Sequence, residues 1–125
     1  MSKNLIILCL SVIFLYGAFA DDNSEWLFKN KQGMQFYKEG DLFLAEKSYL
    51  EAIEIAKELG LKAELSATKN NLGLLNIELM HIEKAKELLE KSLRLRLEVY
   101  GGKHRYVAQS YNNLARAFEV NEQYA

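Results

Sequence analysis

The 125-residue chain contains no proline, where a protein of this length ordinarily carries about six. Threonine occurs once and valine four times, against 21 leucines, 12 alanines and 14 glutamates. So few β-branched residues argue against a β-sandwich or barrel, whose strands draw on them. The lack of proline excludes collagen-like and Pro-rich chains, and a 50% apolar composition excludes wholesale disorder. A formal net charge of −1 gives no global pull toward nucleic acid or acidic lipid. What remains is a leucine-, alanine- and glutamate-rich chain, suited to helices joined by short turns.

The first twenty residues stand apart. Met1-Ser2-Lys3-Asn4 is followed by an almost unbroken apolar run from Leu5 to Ala20. One basic residue, an apolar core and Ala18-Phe19-Ala20 make a secretory signal peptide with an A-x-A cleavage site. The run falls short of the ~20 residues that a spanning helix needs, which sets this reading above a retained signal anchor. Residues 1–20 are thus expected to be removed, leaving 21–125 without a stable membrane anchor, exported to a periplasm or secreted. The one cysteine, Cys9, lies inside the run and follows Leu8, which is unlike a lipoprotein site. The mature chain would have no thiol chemistry and no disulfide.

The remainder aligns with itself. Gly33 to Gly73 is an offset of 40 residues, and Gly73 to Ala115 one of 42. A period in this range marks a solenoid of helical hairpins. Leu42, Ala45, Tyr49, Ala52, Ala56 and Leu59 alternate spacings of three and four, as one apolar helical face requires. Leu65, Thr68, Leu72, Leu75 and Leu79 do the same, then Ile82, Ala85, Leu89 and Ser92, then Val107, Tyr111, Leu114 and Phe118. Gly40, Gly60 and Gly101-Gly102 punctuate the ends. The pattern predicts five helices, at roughly 24–38, 42–59, 62–79, 82–99 and 104–120. They form repeats at about 25–60 and 61–100, with an incomplete third at 104–125. Gly33, Gly73 and Ala115 are expected where the two helices of a hairpin come closest, with Ala45 and Ala85 on the facing helix. A larger side chain there would cost about 1–3 kcal/mol through overpacking.

These residues resemble the tetratricopeptide repeat. The carriers are Gly33-x-x-Phe36, Gly40-Asp41-Leu42-x-x-Ala45 and Tyr49-Leu50-Glu51-Ala52, with Leu72, Gly73, Ala85, Leu89, Leu114, Ala115 and Phe118 at corresponding positions. The longer period is similar to that of kinesin light chains and related bacterial repeat proteins. Residues 101–115 are very like their G-x-x-H-P-x-V-A-x-x-x-N-N-L-A. The resemblance covers about 25–125 and implies an all-α solenoid of antiparallel hairpins, two full repeats and half of a third. Arg105 stands where the motif carries proline, and Met80 where the second copy should carry its turn glycine.

Catalytic chemistry finds little footing. His81 and His104 fall in turns with no metal-ligand spacing around either. There is no Ser/His/Asp set in register and no phosphate-binding glycine loop. Glu83-Lys84-Ala85-Lys86-Glu87 reads as a solvated helix face. Arg94-Leu95-Arg96 and Lys103-His104-Arg105 are small basic groups on a net acidic chain, too little for a nucleic-acid site. The expectation is no enzyme, no metal and no cofactor.

Asparagine is the more informative residue. Asn30, Asn70 and Asn112 each lie three residues before the small residue of their copy, and the last two extend to Asn70-Asn71 and Asn112-Asn113. Asparagine costs helix propensity relative to alanine, so its recurrence asks for a reason. The resemblance implies a groove lined by the first helix of each hairpin, where an amide can serve the backbone of a bound peptide. The other reading is that these residues serve contacts between helices. Met34 and Tyr37, Leu74 and Ile77, Arg116 and Glu119 follow at spacings of four and seven on the same stripe. The carboxylate clamp of chaperone-binding relatives needs lysines and an arginine there. Asn30, Asn71 and Asn113 occupy the matching places, so that function is not expected.

The function expected is binding of another protein or peptide in the groove. The alternative is the N-terminal part of a longer exported scaffold whose repeats serve assembly. The sequence stops where the second helix of the third hairpin should begin. Tyr111, Leu114 and Phe118 would then lie uncovered, each forfeiting on the order of 1.5–3 kcal/mol if fully exposed. That favours a truncated sequence or self-association through the last helix.

Overall fold

The computed structural model describes residues 23–125; the signal-peptide reading lies outside them. Five helices follow in order: α1 at 23–39, α2 Leu42–Glu58, α3 Lys62–Glu78, α4 Ile82–Tyr100 and α5 Arg105–Tyr124. No strand occurs among the described residues. None of the helices is long and apolar enough to cross a membrane.

The turns explain the period. Asp41 N–H donates to Phe36 C=O at 2.9 Å, Leu61 to Ala56 at 2.9 Å and His81 to Asn76 at 2.9 Å. The residue before each donor adopts a left-handed conformation: Gly40 at φ 85°, Gly60 at 67° and Met80 at 59°. This is the six-to-one closure that ends a helix on a left-handed residue, repeated every twenty positions. The fourth turn differs. Gly101 at φ 76° caps α4, and Gly102 and Lys103 follow before His104 opens α5. With α4 at 19 residues against 17 in α2, and a link of four residues rather than three after it, the offset of 40 becomes one of 42. Met80 holds the glycine conformation with a side chain attached, a strained arrangement at a position where the sequence pattern asks for glycine. Starts are less uniform. Asp41 accepts from Leu44 N–H at 3.0 Å and His104 Nδ1 from Tyr106 N–H at 3.2 Å, whereas Leu61 and His81 give no side-chain cap.

Two apolar clusters run in series. Ala45, Tyr49 and Ile53 of α2 pack with Leu72 and Leu75 of α3, flanked by Phe36 and Tyr37 of α1. Ile77 of α3, Ile82, Ala85 and Leu89 of α4, and Leu114 and Ala117 of α5 form the second. The glycines do the work the spacing assigned them. A Cβ on Gly33 would lie 2.6 Å from the Tyr49 ring, and one on Gly73 2.7 Å from Leu89 Cγ. Ion pairs Lys84–Glu46 and Lys62–Glu98 tie the outer surface, each worth little while exposed.

Two expectations for the last helix need correction. Ala115 does not make a close helix contact: it is exposed, and Ala117 is the buried alanine. Leu114 is covered, because it faces back onto α3 and α4 rather than outward. Tyr111 at 55% and Phe118 at 47% are exposed as expected. Gly33 and Gly73 are buried by α2 and α4 respectively, whereas no described helix lies over α5 at Ala115.

Candidate functional site: the face of the first helices

Helices α1, α3 and α5 open successive hairpins, so equivalent positions on them line up across the solenoid. Three polar rows cross this face.

The middle row is asparagine. Asn30 Oδ1 accepts from Asn71 Nδ2 at 3.3 Å and from the Thr68 hydroxyl at 3.0 Å. One repeat later, Asn70 Oδ1 accepts from Asn113 Nδ2 at 3.0 Å and from Arg96 Nη1 at 3.5 Å. The first asparagine of each copy therefore receives the second asparagine of the next. Asn30 and Asn70 are buried. Their Oδ1 atoms are committed between repeats, and the two residues present little surface to a groove ligand. Asn112 is exposed, since no described residue stands in the place that Asn71 and Asn113 take in the earlier copies. Asn71 and Asn113 are half-buried, and their Oδ1 atoms accept no hydrogen bond from a described residue. They, rather than Asn30 and Asn70, keep acceptor capacity on the face.

The second row runs Tyr37, Glu78, Arg116, one residue from each first helix. Arg116 Nη2 donates to Glu78 Oε1 at 2.9 Å. Burial, then the charge and hydrogen bond of Glu78, push the Tyr37 phenol up, and Arg116 opposes the shift. Met34 lies exposed beside this row, with its sulfur 3.8 Å from Asn30 Nδ2. Leu74 is half-buried against the second core cluster and Glu119 is exposed. Ile77 is buried in that cluster and does not reach the face. Its spacing of seven from Asn70 placed it on the stripe, but α4 and α5 close over that side of α3.

The third row lies nearer the helix starts. Trp26 Nε1 donates to Thr68 Oγ1 at 2.9 Å. Beside it a pocket of about 250 Å³ is lined by Trp26, Glu64, Ala67, Arg96, Tyr100 and Tyr106. Arg96 is buried and was not expected inside. Its signal was present: Leu89, Ser92 and Arg96 continue the four-three spacing of the inward face of α4. His104 stacks on Tyr100 with centroids 4.3 Å apart. Among the described residues no group of three His, Cys, Asp or Glu side chains could hold a metal.

Comparison with known proteins agrees with this geometry. Residues 64–125 match the sequence model of the tetratricopeptide repeat. The crystal structure of BtubC (BKLC) from P. vanneervenii superposes with a TM-score of 0.71 at 26% identity, over 78% of this chain and 40% of that one. The chain thus spans less than half the length of that neighbour. No curated protein matches it. Tetratricopeptide repeats generally mediate protein–protein interaction and are typically non-enzymatic.

Proposed function

We propose that this tetratricopeptide-type solenoid is an exported, non-enzymatic interaction module that binds an extended peptide segment across α1, α3 and α5. The observation that carries the reading is the pair Asn71 and Asn113. Each is half-buried, each is anchored through Nδ2 to the preceding repeat, and each leaves Oδ1 without a described partner. Two acceptors fixed one repeat apart suit the N–H groups of an extended chain whatever its side chains. Met34, Tyr37, Leu74 and the Glu78–Arg116 pair then select among sequences. The apolar run Leu5–Ala20 supports export, with cleavage after Ala20. The 42-residue offset and the segment Gly101–Ala115 support the kinesin-light-chain-like subfamily.

The test is capture of partners from the exported proteome by the full chain and by Asn71→Ala/Asn113→Ala. Loss of the same partners by about tenfold, from two hydrogen bonds each worth about 0.5–1.5 kcal/mol, is expected. Equal capture by a folded variant would remove the amides from the mechanism. N-terminal sequencing of the secreted product should begin at Asp21.

The outer side of α5 favours a second reading, assembly. Tyr111, Ala115 and Phe118 are exposed together, and at Ala115 this is the side that α2 and α4 cover in the earlier hairpins. Another helix of this type would fit there, from a second copy or from a longer chain. Concentration-dependent light scattering that Phe118→Glu abolishes would support self-association; a monomer at all concentrations would refute it.

A further inference from the structure

We propose that the pocket beneath Trp26 is a carboxylate site, filled by a partner's acidic side chain or chain terminus beside an apolar group. The inference rests on reading this face as partner-binding, and it deepens that reading by naming the chemistry at one end. Trp26 is one turn before Asn30, and Ala67 one turn before Asn71, so the pocket continues the asparagine stripe.

Arg96 is the reason. Only 4% of its surface is exposed, and no described carboxylate lies within ion-pair distance of it. Its Nη1 donates to Tyr106 C=O at 2.9 Å, Ser110 Oγ at 2.8 Å and, more weakly, Asn70 Oδ1 at 3.5 Å. Nε and Nη2 donate to no described residue. Burial holds the guanidinium below its usual proton affinity, with the neighbouring Tyr100 and Tyr106 opposing. A buried cation with neutral partners alone is costly, and the unspent edge of a guanidinium is a two-pronged donor matched to a carboxylate.

The walls decide between anions. Trp26, Tyr100 and Tyr106 give flat apolar surface, and Arg96 lies 5.4 Å from the Tyr106 ring centroid. One guanidinium faces the pocket, and Glu64 on the wall adds a negative charge. That balance suits a monoanion carrying an apolar body and disfavours a doubly charged phosphate. The cation comes from α4, reaching between α3 and α5. It is not one of the lysines and arginines that a clamp on the first helices would need.

Trp26 is the only tryptophan in the chain, so its fluorescence reports the pocket. The full chain is titrated at constant ionic strength with N-acetylphenylalanine, with its amide, with N-acetylglutamyl-phenylalanine amide and with phenyl phosphate. Saturable change with the first or third, and none with the amide, is expected. Which of the two binds distinguishes a chain terminus from an acidic side chain. Arg96→Lys should weaken binding about tenfold through loss of the paired donors. Glu64→Gln leaves Arg96 in place and should tighten it about two- to fivefold. No saturation by either carboxylate, an equal response to the amide, tighter binding of phenyl phosphate, or indifference to Glu64→Gln would each overturn the site. Partner capture through Asn71 and Asn113 reads the whole face, so a silent pocket with capture intact removes this inference alone.

Discussion

Gly73→Ala should destabilise the protein although alanine is the better helix former. Gly73 lies within α3, so the substitution gains about 1 kcal/mol in helix propensity. Against this, the new methyl would sit 2.7 Å from Leu89 Cγ, 2.8 Å from Leu89 Cδ2 and 3.5 Å from the Ala85 carbonyl oxygen. Leu89 is fully buried and packed with Ile77, Ala85 and Leu114, so it has no free direction in which to yield. Overpacking of this kind costs about 1–3 kcal/mol. The conflict falls on a branch carbon rather than a flexible tip, which selects the upper half of that range. The net loss is therefore about 1–2 kcal/mol. Leu89→Ala alone should cost about 2–5 kcal/mol by opening a cavity. In that background the methyl enters vacated space, and Gly73→Ala should stabilise by about 1 kcal/mol. Urea unfolding followed by far-UV circular dichroism measures all four corners of the cycle. A higher midpoint for Gly73→Ala in the native background, or the same sign in both, would refute the close-approach argument. Exposed Ala115, at the equivalent place, supplies the control: Ala115→Gly should lose only the propensity difference of about 1 kcal/mol.

Four other outcomes are expected. Asn70→Ala strands Asn113 Nδ2 and removes an acceptor from buried Arg96, so it should cost about 1–3 kcal/mol in the same unfolding assay, while exposed Asn112→Ala should stay within about 0.5 kcal/mol. Met80→Gly relieves a left-handed side-chain residue at φ 59° and should stabilise by about 1 kcal/mol; a lower melting temperature would refute the strain. Arg105→Pro should stabilise by about 0.4–1 kcal/mol, because His104 is extended at φ −116°, ψ 145° and Arg105 is the first helical residue, where proline fits. Burial, aided by Tyr37, pushes the Tyr49 phenol from 10.0 to about 12. The folded state then holds a proton that the unfolded state releases, so stability falls as pH rises through that window, by up to about 2–3 kcal/mol. Tyr49→Phe should flatten this part of the pH profile, measured as urea midpoints, and an unchanged slope would contradict it.

The helices and their order were legible because each apolar face follows one spacing rule, and the turns because Gly40, Gly60 and Gly101 need conformations other residues avoid. The roles of the asparagines were only half legible. Spacing showed that Asn30 and Asn70 recur, but whether an amide faces a ligand or the next repeat depends on the angle between hairpins. That angle is set by contacts between residues some forty apart, such as Asn30 with Asn71. Ile77 was misplaced for a related reason: a helix packed on two sides has two inward faces, and the three-four pattern does not say which side a residue joins. Arg96 was passed over because a basic pair reads as surface, although its spacing placed it inward.

The sequence alone determined the repeat, its 40- and 42-residue offsets, the five helices and the close approaches at Gly33 and Gly73. Helix periodicity and backbone conformation are local properties, written within a few residues of each position. Only the tertiary structure decided that Asn30 and Asn70 bind the next repeat, that Asn71 and Asn113 keep free acceptors, and that Arg96 lies buried under an aromatic pocket without an ion-pair partner among the described residues. Those facts are relations between hairpins, and they exist only once one hairpin has stacked on another.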